Sequence, residues 1–113
     1  MIKIDHLVNQ TLEIFNTDGV YSDFQFTQIN ADGSFTGNLQ NEVINGTFDS
    51  NSGKITFGHK AIIAVVGARK YTGFIFTDKH NPSLFTMAGT VSSGTALTRL
   101  FSGGFFAQIE RNK

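Results

Sequence analysis

The 113-residue chain has no cysteine, no tryptophan, one proline and no excess of either charge. Without cysteine there is no disulfide framework, no thiolate nucleophile and no cysteine zinc site. Lys plus Arg and Asp plus Glu number nine each. No basic surplus is therefore present to draw a nucleic acid or an anionic membrane, and both are disfavoured as partners. The same neutrality leaves little long-range repulsion between copies. The opening MIKIDHLVNQ has neither an apolar h-region nor a small-residue cleavage site, so it does not read as a secretory leader, and the cytoplasm is the default compartment. The triplets Asn9-Gln10-Thr11 and Asn45-Gly46-Thr47 fit the N-glycosylation pattern, but they acquire meaning only in a secreted chain.

Helical periodicity is lacking as well. Short β-rich runs recur instead, separated by Asn, Gly, Asp and Ser. Eight strands are predicted, at about 6–15, 22–30, 34–40, 42–49, 54–66, 69–78, 84–92 and 102–111. The links NTDG, ADG, SNSG and GA each supply a residue that tolerates φ > 0, as hairpins require. Pro82 falls in a link, where its missing N–H does no harm. With no crossover helix, the strands must form an antiparallel meander. One domain over 1–113 fits this length.

A glycine inside a strand costs roughly 0.5–1 kcal/mol relative to alanine, yet glycines recur mid-strand, in FTGNL, INGTF, YTGFIF, MAGTV and SGGFF. Four of them share a face with apolar residues: Phe35-Gly37-Leu39, Ile44-Gly46-Phe48, Tyr71-Gly73-Ile75 and Met87-Gly89-Val91. Tightly coiled strands need such residues, which bend and make room for bulky neighbours on the concave side. The expected fold is all-β, an eight-stranded antiparallel up-and-down barrel. Phe35, Phe48, Phe57, Tyr71, Ile75, Phe85, Met87, Phe105 and Ile109 are the candidate core. A barrel of this size is either filled by side chains or holds one small ligand, and twelve phenylalanines favour filling.

Catalytic chemistry finds little to work with. His6, His59 and His80 stand in no metal-ligand spacing, and no serine stands in a nucleophile elbow. The expectation is a non-enzyme without cofactor or metal. One strand is unusual: Ala61 to Val66 are six consecutive apolar residues. Successive strand residues point to opposite faces, so both faces here are apolar while a lone barrel buries only one. An oligomer interface through Ile62, Ile63, Val65 and Val66 is the preferred explanation. Cover by the chain's own loops is a second. Membrane insertion of the hairpin 54–78, as in a pore-former or adhesin, is the third.

The strand layout and its motifs resemble the avidin–streptavidin family of small barrels. LVNQ (7–10) is similar to that family's opening strand, and INADGSFTGNLQN (29–41) to its Ala-Asp-Gly turn and following Leu-Thr-Gly strand. VINGTFDS (43–50) and YTGFIF (71–76) resemble two later strands. The resemblance implies an up-and-down barrel that packs wall to wall into a dimer or tetramer, with a small-molecule site at one end. Carried onto this chain, the implied site comprises Asn9, Leu39, Asn41 and Tyr71, with Arg69 on the same strand as Tyr71. The family's biotin site is walled by tryptophans, which this chain lacks. Leu39 stands where the family has a ligand-contacting tyrosine, so strong biotin binding is not expected. The predicted function is a self-associating small-ligand-binding or interaction module.

Overall fold

A computed structural model describes residues 2–59, 69–94 and 99–110, apart from the side chains of residues 59, 94 and 99–101. Eight strands follow one another: β1 (Thr11–Asn16), β2 (Tyr21–Ile29), β3 (Ser34–Leu39), β4 (Glu42–Phe48), β5 (Lys54–His59), β6 (Arg69–Thr77), β7 (Leu84–Gly94) and β8 (Arg99–Glu110). Each pairs antiparallel with the next, and β8 returns to β1, so the sheet is a closed barrel. The alternating burial along β1 and β3 is what a strand with one buried face requires. The tight turns obey the same chemistry. Gly19, Gly33 and Gly53 take positive φ in three links, while Gln40 and Asn41 both do so in the two-residue β3–β4 turn.

The first strand is shorter and later than its sequence implied. Residues 6–10 do not continue the strand; a 3-10 turn covers Asp5–Leu7, Val8 makes only an isolated parallel bridge to Phe26, and Asn9 has φ 67°. Leu7 and Ile4 are the physical reason. Both are buried in the core, and a turn bonded from Leu7 N–H to the Ile4 carbonyl (2.9 Å) holds them across one end of the barrel. The segment is pinned at either side by Ile2 N–H to the Ser50 carbonyl and Asn9 N–H to the Phe26 carbonyl. Burying a leucine side chain contributes about 1.5–3 kcal/mol, more than a few exposed ladder bonds at that position would return.

The interior is packed with rings. Phe24, Phe26, Phe35, Phe57, Tyr71 and Phe105 are all buried, and neighbouring centroids lie between 4.7 and 6.4 Å apart. Glycines make this possible. Gly46 lies beneath the tip of the Phe35 ring, where any Cβ would collide with it. Gly73 and Gly89 are direct cross-strand partners, and a Cβ on either would run into the other strand's backbone. The β1–β8 seam is the shortest join. Its ladder has only Phe15–Phe106 and Asn16–Phe105, extended by a Thr17–Gly104 exchange in which Thr17 N–H donates to the Gly104 carbonyl (3.0 Å).

Candidate functional site

The meander puts the β1–β2 and β3–β4 turns and the start of β6 at the end of the barrel opposite Ile4 and Leu7. There the inward rows of β1, β2, β6 and β7 end in polar groups. Asn16 follows Leu12 and Ile14 on the inner face of β1, and Ser22 precedes Phe24 and Phe26 on that of β2. Tyr71 opens the inner row of β6, and Ser93 closes that of β7. Asn16, Ser22, Tyr71 and Ser93 are all buried.

Their hydrogen bonding is incomplete. The Asn16 amide donates through Nδ2 to the Val20 carbonyl (2.8 Å) and to Ser22 Oγ (3.3 Å), which also shapes the NTDG turn. Its Oδ1 and the Tyr71 hydroxyl, both inaccessible to solvent, have no hydrogen-bond partner. An unsatisfied buried polar group costs about 1–3 kcal/mol. The Tyr71 ring is fixed below, stacked on Phe57 at 4.7 Å and 9° and met edge-on by Phe105. Burial raises the Tyr71 phenol above its usual value; the nearby Ser22, Arg69 and Asn16 offset part of this without reaching hydrogen-bond geometry. The hydroxyl is therefore neutral at physiological pH, a donor and an acceptor together.

An ion pair lies on the rim. Arg69 donates to the Asp18 carboxylate at 2.5 Å and 3.4 Å, tying the β1–β2 turn to the start of β6. That hydrogen bond holds the Asp18 carboxyl below its usual range against the cost of burial, helped by the Val20 N–H and the Arg69 charge.

Four of the five residues expected to bind a ligand meet at this end. Arg69 and Tyr71 belong to the polar cluster, Leu39 is buried at the close of β3, and Asn41 is exposed in the turn that follows. Asn9 is exposed beside the 3-10 turn, toward the other end of the barrel. The expected interface residues Ile62, Ile63, Val65 and Val66 lie outside the described residues. Asn16, Ser22 and Ser93 were not anticipated. The signal was there, since a polar residue continuing an apolar period-2 row at a strand end marks a buried polar position. Among the described residues, no group of three or more His, Cys, Asp or Glu side chains could hold a metal ion.

The opposite end carries an open groove of about 490 Å³ along Asp32, Gly33, Phe48, Asp49 and Lys54. Its carboxylates are used locally. Asp32 accepts from Ser34 N–H and Oγ, and Asp49 from Asn51 N–H, each shaping its own turn.

The outer wall is unusual. Phe15, Tyr21, Phe74, Phe76 and Phe106 are exposed by 40 to 56%. Cross-strand register places Phe74, Ala88, Phe106, Phe15 and Tyr21 side by side over β6, β7, β8, β1 and β2. The adjoining row is hydroxylated: Ser34, Thr47, Thr56, Thr72 and Thr90 over β3 to β7.

These features define a closed antiparallel barrel with an aromatic interior, a polar mouth and an aromatic outer stripe. Compared with known proteins, the chain matches no family model, no curated protein and no solved structure.

Proposed function

We propose that the protein is a non-enzymatic binding module that self-associates and takes a small polar ligand at the mouth formed by Asn16, Ser22, Arg69 and Tyr71. The observation that carries the ligand half is the pair of buried, unpartnered atoms, Asn16 Oδ1 and Tyr71 Oη. A neutral group that offers one donor to Asn16 and one acceptor or donor to Tyr71 would recover both unmade bonds at once. An amide, a urea or a vicinal diol has that form. Both atoms are buried, so the ligand reaches them only when the rim closed by the Asp18–Arg69 ion pair opens, and the buried Phe57–Tyr71 stack below keeps it at the mouth. The resemblance to avidins points to the same kind of site, and the missing tryptophans direct expectation away from biotin.

A thermal-shift screen of small amides, ureas, sugars and biotin tests the reading. A hit should raise the melting temperature of the wild type and lose most of its effect in Asn16→Ala and Tyr71→Phe. A hit that stabilises both variants as much as the wild type would place binding elsewhere and end this assignment.

A further inference from the structure

We propose that the Asp18–Arg69 ion pair is a strap across the mouth and that the ligand opens it by presenting a carboxylate of its own to Arg69. The proposal rests on the mouth reading above and adds the charge of its ligand. Asp18 belongs to the turn joining β1 and β2, whereas Arg69 begins β6, three strands from β1 and four from β2 in a ring of eight. The two therefore come from opposite walls, and their contact crosses the opening. On its other side the same turn is tied to β8 by the Thr17–Gly104 exchange, in which Gly104 N–H also donates to Thr17 Oγ1 (2.9 Å). Arg69 and Tyr71 share the inner face of β6, two residues or about 6.6 Å apart along the strand. Both charges act on the Tyr71 phenol, so the strap lies beside the two buried atoms that lack partners.

What opens the strap follows from what Arg69 would lose. Its side chain is only 15% exposed, and a bond between a shielded guanidinium and a carboxylate is about twice as strong as a neutral one. A neutral ligand would separate the two ions and return no charge to Arg69. A ligand with a carboxylate exchanges one anion for another and keeps the planar fork of the guanidinium filled. Asp18 loses little in the exchange, because it stands on an exposed turn, where water hydrates it and the Val20 N–H still donates to it. The matching ligand is a carboxylate within a few bonds of an amide, as in an N-acylated amino acid. Its amide N–H serves Asn16 Oδ1, its amide carbonyl accepts from Tyr71 Oη, and its carboxylate takes Arg69.

N-acetylglycine and its neutral analogue N-acetylglycinamide test this in titrations followed by backbone amide NMR shifts. Wild type should bind N-acetylglycine about 10-fold tighter than the analogue, the difference that one charge-assisted bond makes. Arg69→Gln should bind the two equally. Asp18→Asn removes the competing charge but keeps an acceptor for Val20 N–H, and it should bind N-acetylglycine tighter than wild type does. The wild-type comparison decides the matter if either variant fails to fold. Equal wild-type affinity for the two compounds overturns the exchange and leaves the mouth to neutral ligands. So does an Asp18→Asn protein that binds N-acetylglycine no better than wild type. Binding of neither compound at millimolar concentration, by wild type or by Asp18→Asn, also overturns it, and the screen above then judges the mouth by itself. An N-acetylglycine affinity lost in Arg69→Gln but unchanged in Asn16→Ala and Tyr71→Phe ends the mouth reading while the exchange at Arg69 stands.

Discussion

Gly73→Ala is the most direct probe of why the barrel closes. On an ordinary strand this substitution recovers roughly 0.5–1 kcal/mol, because alanine has less freedom to lose. At Gly73 the new methyl meets the Ala88 carbonyl and the Cα of Gly89, both part of the neighbouring strand's backbone. A side chain can rotate away, but a paired backbone can retreat only by widening the β6–β7 ladder of nine residue pairs. Overpacking of this kind costs typically 1–3 kcal/mol, and a backbone obstacle belongs at the upper end. Set against the entropic gain, the net loss is about 2 kcal/mol, or roughly 8 °C in melting temperature at ~4 °C per kcal/mol. Gly19→Ala is the reference. Its φ of +91° makes alanine strained, but nothing lies within 4 Å of the added methyl, so only the backbone cost of about 1 kcal/mol applies. Urea and thermal denaturation of both variants should rank Gly73→Ala as the more damaging. A Gly73→Ala protein as stable as wild type, or more so, would refute the close approach of the two strands and with it the steric account of closure.

Two further outcomes follow from the ends of the barrel. Tyr71 is pushed up by burial, so its contribution is fully present below the unfolded value of about 10 and is lost as pH rises beyond it. Wild type should therefore lose stability above pH 10 faster than Tyr71→Phe, and identical alkaline profiles would exclude a buried phenol. Leu7→Ala should cost 2–5 kcal/mol, the usual loss for a fully buried leucine, although it lies outside every strand. A loss below 1 kcal/mol in urea denaturation would mean that the N-terminal segment does not plug the barrel.

The barrel was legible because its cues are local. Turn residues and period-2 alternation located β2, β3, β4, β6 and the start of β7 to within a residue. The predicted core residues are buried, Ile109 only partly. The first strand was misread because Leu7 and Val8 look like strand residues, whereas their burial depends on an open barrel end that no local pattern announces. The outer stripe was hidden for a related reason. Alternation in YTGFIF shows that Phe74 and Phe76 point away from Tyr71, Gly73 and Ile75. That Phe106, Phe15 and Tyr21 continue their row depends on the register across the seam, which closure sets. The polar mouth was half legible. Arg69 and Tyr71 were found on their strand, while Asn16 looked like a turn residue because it is one, through its bond to Val20.

The brevity of the β1–β8 seam bears on how the molecule acquires its shape. Residues 15 and 16 must find 105 and 106, almost the whole chain away, and two ladder pairs are the direct reward. The β7–β8 hairpin, by contrast, joins near neighbours through eleven pairs. Loop-closure entropy rises with separation, so a distant join is made late unless its contacts are strong. Folding should thus run through a curled, open sheet built from successive hairpins, with the tube completed as the last event. Variants at Phe15 or Phe106 should then hasten unfolding while leaving the folding rate nearly untouched. The chain is a sheet before it is a barrel.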